Sequence, residues 1–385
     1  MPNELIRNFD YVEMFVGSAK VTAYWFVKAL GFEIIAYKGP ENGSKESCSY
    51  YIQKNKIKFV LTSSLTPRQY EINSFVTKHG QGISRISFEV DDVELAFKQA
   101  TDKKAVPVKF PDKSEDEFGV FEDASVGIFD DTELYFNNYD NYKGPFVPGF
   151  TAMNGIIKPN DKDTALEEID HIVGNVRENE MERWANYFIN SFNFEEIVSF
   201  GPGDIETQYT SLISKVVASK DRKIRIPINE PFDGIKKSQI DEYIEEYKGT
   251  GIQHVALMTN DIIQSISVLR ENGVEFIDIP DSYYDMLKEK HDKLPKEKQM
   301  DESFDELKRL GILCDFETEG YLLQLFTKPI GDRPTLFFEI IQRKRGASGF
   351  GHGNFLALFQ AMEKDQASRG DLVDRKNRSS LKDKS

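Results

Sequence analysis

Five histidines occur in the chain, His79, His171, His254, His291 and His352. Two of them stand where a metal site could be built. His171 in IDHIV and His254 in GIQHVAL each lie in an apolar run that reads as a strand. Glu339, between Phe338 and Ile340 in TLFFEII, is a carboxylate inside a third such run. An ionised carboxylate in an apolar strand is costly unless something pairs with it. A divalent cation shared with two histidines is the partner this composition offers. Two histidines and one carboxylate, with other positions open, are the donor set of non-haem iron(II) oxygenases. Three protein ligands leave room for a bidentate 2-oxo acid and dioxygen.

The other histidines carry less. His79, beside Lys78 and Gly80, and His291, within KEKHDK, read as solvated; His352, in GFGHGNF, reads as a surface-loop residue. That glycine-rich segment is no nucleotide loop, because it follows the last core strand instead of opening an early strand–helix unit. Its glycines suit a lid.

Strand alternation places Ile169, His171 and Val173 on one face, Ile252, His254 and Ala256 on another, and Phe337, Glu339 and Ile341 on a third. The elements that must position them recur. Residues 82–108 align without gaps on 251–277, each a strand, a turn ending in Asp (Asp92, Asp261) and an amphipathic helix. FDYVEMFV (9–16) parallels IDHIVGNV (169–176), YWFVKALGFEII (24–35) parallels NYFINSFNFEEI (186–197), and ELYFNN (133–138) parallels TLFFEI (335–340). In this comparison Tyr11, Arg85 and Asn137 stand in the first copy where His171, His254 and Glu339 stand in the second. One copy keeps a full donor set and the other keeps none. Core histidines satisfied by ordinary hydrogen bonds would not divide so cleanly.

Length and composition set the frame. A chain of 385 residues suits two domains, here 1–150 and 151–385, with residues 141–165 reading as a linker. A net charge of −15 argues against a nucleic-acid partner. Cys48 and Cys314 are too few for a disulfide framework or a cysteine-rich zinc site. No secretory leader and no membrane span is visible, so the expectation is a cytoplasmic protein with a frayed polar tail ending NRSSLKDKS.

The second half resembles the 4-hydroxyphenylpyruvate dioxygenase family in PINEP (227–231), KSQIDEY (237–243), GIQHVAL (251–257), GYLLQLFTKP (320–329), DRPTLFFEIIQR (332–343) and GFGHGNF (349–355). The first half resembles it more weakly. The resemblance implies an α+β vicinal oxygen chelate fold, with repeated βαβββ modules forming two open barrels and a C-terminal lid helix. It implies Fe(2+) held by His171, His254 and Glu339, and oxidative decarboxylation and ring hydroxylation of 4-hydroxyphenylpyruvate by dioxygen to give homogentisate. It further implies a polar set of Ser214, Asn229, Gln239, Gln253 and Gln324. Aromatic walls of Phe326, Phe337, Phe350 and Phe355 follow, with Asn354 beside them, in a dimer or tetramer. A flat phenol is well held between aromatic faces and neutral hydrogen-bonding groups. His352 and the basic insert RKRGAS (343–348) are the local departures. Two other readings share the fold: 4-hydroxymandelate synthase, which hydroxylates the benzylic carbon of the same substrate, and a metal-free protein that binds small aromatics.

Overall fold

The computed structural model describes residues 5–153, 155 and 157–375. The first sheet contains β1 (Ile6–Phe15), β2 (Glu33–Lys38), β3 (Ser47–Lys54), β4 (Ile57–Ser64), β5 (Gly82–Val90), β6 (Val106–Asp116), β7 (Gly119–Ile128), β8 (Thr132–Asn138) and β9 (Thr151–Ala152). The second contains β10 (Leu166–Asn175), β11 (Glu195–Phe200), β12 (Ser211–Ala218), β13 (Arg225–Phe232), β14 (Gly251–Thr259), β15 (Leu313–Phe316), β16 (Tyr321–Phe326) and β17 (Phe337–Lys344).

Their orders are β6-β7-β8-β5-β1-β4-β3-β2-β9 and β11-β12-β13-β10-β14-β17-β16-β15. Read from opposite ends, the two orders coincide once β9 is set aside, so the sequence repeat is a repeat of topology. In each half two βαβββ units meet along a central antiparallel pair, β1 with β5 and β10 with β14. Each unit closes through a parallel pair: β1 with β4, β5 with β8, β10 with β13 and β14 with β17.

The helices are α1 (Ala19–Trp25), α2 (Tyr70–His79), α3 (Val93–Asp102), α4 (Met181–Phe192), α5 (Gln239–Tyr247), α6 (Ile262–Glu271), α7 (Asp281–Asp292), α8 (Phe304–Leu310) and α9 (Phe355–Arg369). The repeated aspartates do the same local work in both copies. Asp92 accepts from the Leu95 amide and Asp261 from the Gln264 amide, each capping the helix that packs on its sheet. Among the described residues no helix is long and apolar enough to cross a membrane.

Three expectations change here. The segment read as linker contributes β9, which adds to the edge of the first sheet against β2; its backbone groups find partners there. His79 is not solvated but fully buried. Its Nδ1 bonds the Tyr247 carbonyl, its Nε2 lies 3.0 Å from Asp131, and its ring stacks on Tyr247 at 4.1 Å. Lys78 and Gly80 gave no sign of this, because the covering residue comes from α5 of the other half. His291 is also largely covered, packing edge-on against Phe304. The expected frayed tail falls outside the described residues from 376 onward; just before it, the Lys237 amide donates to the Val373 carbonyl.

Candidate metal centre

Each of the two histidines follows a bulge. On β10, Ile169 pairs with Leu257 and His171 with Ala256, so Asp170 is an extra residue in the ladder. On β14, His254 pairs with Val173 and Ile252 with Gly174, so Gln253 is the extra one. A bulge breaks the two-residue alternation and re-aims side chains. Here it lets consecutive residues bond: His171 Nδ1–H donates to Asp170 Oδ2 at 2.7 Å, and His254 Nδ1–H to Gln253 Oε1 at 3.1 Å. The carboxylate and the amide oxygen can only accept, so both imidazoles carry a proton on Nδ1 and turn Nε2 toward Glu339 as the atom available to a cation. Ile169, expected on the face of His171, does not line the cavity with it; it packs in the core and borders a separate cleft with Asp170.

Glu339 reaches both rings. Its Oε2 lies 3.2 Å from His171 Nε2 and 3.5 Å from His254 Nε2. All three donor atoms fall within 4.8 Å of one another, and all three residues are buried. Donors bound cis to one metal at about 2.1 Å stand about 3 Å apart, so this spacing suits a divalent transition ion. Burial opposes ionisation of Glu339, but His171 and His254 outweigh it and hold its carboxyl below the ordinary range. Burial pushes His254 down. It also opposes the charge on His171, where Glu339 and Asp170 win and the net shift is upward. Asp170 itself is buried, yet Arg343 and His171 hold its carboxyl well below the ordinary aspartate range.

The donors form one wall of a cavity between the second sheet and α9. Of the residues singled out in the sequence, Ser214, Asn229, Gln239, Gln253, Phe326, Phe337, Phe350 and Phe355 line it. Ser214 and Asn229 are register partners on β12 and β13, and Gln253 Nε2 donates to Gln239 Oε1 at 3.4 Å. Phe337 stacks on the His254 ring at 4.8 Å, and Phe350 meets His171 edge-on at 5.4 Å. Gln324 and Asn354 do not line the cavity. Gln324 is buried beneath Gly351 of the lid loop, and Asn354 Oδ1 accepts from Tyr283 O–H at 2.8 Å. His352 is exposed, as expected, and stacks on Phe200 at 5.3 Å. Phe200, Leu358, Phe359 and Met362 add to the apolar wall. Nothing in their spacing separates them from ordinary core positions.

The first half fills the corresponding place with protein. Register places Ser87 opposite Tyr135, while its counterpart Ala256 lies opposite Glu339. Tyr135 therefore occupies the carboxylate's position, and the sequence pairing of Asn137 with Glu339 is two residues out. Asn137 instead donates to Asp10 and Ser87. Arg85 lies over Tyr135 and donates to Glu13 at 3.0 Å.

Comparison with known proteins agrees with this architecture. Residues 8–129 and 168–293 match the Glyoxalase/Bleomycin resistance protein/Dioxygenase superfamily. A 4-hydroxyphenylpyruvate dioxygenase of Yarrowia lipolytica is 41% identical over 372 residues, 95% of this chain and 94% of that protein. One of Danio rerio is 42% identical over 369 residues, 95% of this chain and 92% of that protein. Among solved structures, a triple mutant of 4-hydroxymandelate synthase from Streptomyces coelicolor superposes with a TM-score of 0.81 at 26% identity, covering 94% of this chain and 99% of that one. With two topologically matched half-barrels and a buried donor set in the second, the chain belongs to the 4-hydroxyphenylpyruvate dioxygenase family.

Proposed function

We propose that the chain converts 4-hydroxyphenylpyruvate and dioxygen into homogentisate and carbon dioxide, using Fe(2+) held by His171, His254 and Glu339. The observation that carries this reading is the convergence of the three donors on a cavity walled by Phe326, Phe337, Phe350 and Phe355. Held by these three residues, a ferrous ion would supply the Lewis-acid and oxygen chemistry that a 2-oxo acid and dioxygen require.

The chain's own residues do the rest. The phenylalanines hold the substrate ring by its faces. Ser214, Asn229, Gln239 and Gln253 offer hydroxyl and amide groups without fixed charge, matching a neutral phenol and a carbonyl. Phe355, Leu358 and Phe359 on α9 close the cavity against water. Gln324 and Asn354 act from behind the wall, the first under the lid loop and the second anchoring α9 to α7 through Tyr283. Residues 151–385 form the catalytic part and 1–150 a metal-free scaffold, in a cytoplasmic dimer or tetramer whose size light scattering measures.

Purified chain supplied with ferrous iron, 4-hydroxyphenylpyruvate and air should yield homogentisate by liquid chromatography with mass detection. The structural likeness to a 4-hydroxymandelate synthase favours a second outcome, benzylic hydroxylation; 4-hydroxymandelate as the product would establish it. Protein that takes up no iron, binds the substrate and consumes no oxygen would overturn both and leave the metal-free binding role.

A further inference from the structure

Arg343 lies on β17, four residues beyond Glu339. Its guanidinium is largely buried and makes contacts in two directions. On one side Nε donates to Asp170 Oδ1 and Nη2 to Asp170 Oδ2, both at 2.8 Å, a two-pronged grip on the carboxylate that accepts the hydrogen bond from His171 Nδ1–H. On the other side Nη1 donates to the Gly349 carbonyl at 2.7 Å. The same cation lies 5.7 Å from the centre of the Phe350 ring, which itself meets the His171 ring edge-on. Gly349 and Phe350 open the lid loop that leads into α9, and Phe350 lines the cavity.

This rests on the metal reading above. We propose that Arg343 is a positioning residue that ties the lid loop to the His171 ligand through Asp170, so that lid closure and orientation of the first histidine are set together. The fork geometry is the reason the residue is arginine. A guanidinium grips both carboxylate oxygens and still has an N–H for Gly349, whereas a lysine ammonium is a single point charge with no planar face for Phe350.

The other histidine lacks such a connection. His254 Nδ1 bonds the neutral Gln253, which lines the cavity and leans on Gln239. One ligand is thus referred to the lid loop and the other to the substrate pocket. In the first half the equivalent aspartate has different partners. Asp10, in the place of Asp170, has no histidine after it and is held by Lys58, Ser87, Asn137 and Tyr139.

Two measurements on the full chain test the proposal without relying on turnover. Metal-free wild type, Asp170→Asn and Arg343→Lys are titrated anaerobically with cobalt(II) against a competing chelator, and the visible bands of the bound ion are recorded. Both variants should bind cobalt(II) about 10- to 100-fold more weakly, with displaced bands, while far-ultraviolet dichroism stays that of wild type. In parallel, hydrogen exchange of a peptide covering 349–353 should speed up several-fold in Asp170→Asn, although Asp170 makes no hydrogen bond to that loop. Unchanged cobalt affinity and bands in both variants, or unchanged exchange in the loop, would overturn the coupling. If Asp170→Asn does not fold, Arg343→Lys decides both arms. A wild type that takes up no cobalt(II) counts against the metal site itself; variants that bind as well as a binding wild type count against Arg343 alone.

Discussion

Asp170 and His171 are consecutive residues of one strand, yet their side chains are bonded to each other at 2.7 Å. In a regular strand they would point to opposite faces. The bulge at Asp170 brings them together, and the bulge at Gln253 does the same for His254. Each candidate histidine ligand therefore carries its orienting group as its own neighbour in the chain. The neighbour's oxygen thereby selects the imidazole tautomer and steadies the ring plane.

The donor set gives the most direct prediction. Glu339→Gln keeps the shape of the side chain and removes its charge. Bound iron, measured by atomic absorption, should fall below a tenth of an equivalent per chain, with homogentisate formation lost alongside. His171→Ala and His254→Ala should do the same. Full activity in any one of the three would mean the ligands are misassigned.

Asp170 should also stabilise the fold, with a definite pH dependence. Its carboxyl is held well below the ordinary value by Arg343 and His171 despite burial. A depressed carboxylate contributes stability above its unfolded pKa of about 3.9 and loses it as pH falls through the folded value. Asp170→Asn leaves Arg343 and Arg225 without their counter-charge, a change that costs about 3–5 kcal/mol when a buried pair is broken. Urea denaturation should show that difference in full near neutral pH, shrinking toward strongly acid pH. A gap that does not narrow in acid would contradict the assignment.

Glu242 behaves in the opposite sense. It accepts two bonds from Arg369 at the end of α9, at 2.7 and 2.9 Å. Burial outweighs that cation and pushes its carboxyl up to about 7. A raised carboxyl binds more protons in the native state, so stability should fall as pH rises from about 4.3 to about 7 and level off above. The loss should be about 3–4 kcal/mol. Glu242→Gln should flatten that slope in chemical denaturation between pH 5 and 8; an identical slope in the variant would exclude Glu242 as its source.

Gly351 has φ +75° and sits against the Gln324 carboxamide, where an added Cβ would collide. Gly351→Ala should cost about 1–3 kcal/mol from the left-handed backbone and the collision together, and raise KM by loosening the lid loop. Adding Gln324→Ala should recover part of the stability, because only the collision is relieved. No recovery in the double variant would place the whole cost in the backbone.

His171, His254 and Glu339 were legible because each is a polar group inside an apolar run, and because the repeat supplied a copy in which those groups are missing. That the two halves would share one topology followed from the same repeat, since similar segments fold into similar units. Other features left no trace in the linear pattern. The bulges at Asp170 and Gln253 carry no glycine or proline to mark them. The register of β8 differs by two residues from the pairing that ELYFNN and TLFFEI suggest. His79 looked solvated because the ring that buries it belongs to Tyr247, 168 residues away.

The sequence by itself determined which groups could hold a metal and in which half, because donor chemistry and apolar alternation are local properties of a strand. Tertiary structure decided what orients those groups and what closes over them. Arg343 reaches Asp170 across 173 residues, and α9 brings Phe355, Leu358 and Phe359 down onto the cavity. Contacts of that kind depend on how the two βαβββ units curl around a common centre, and no spacing along the chain encodes that distance.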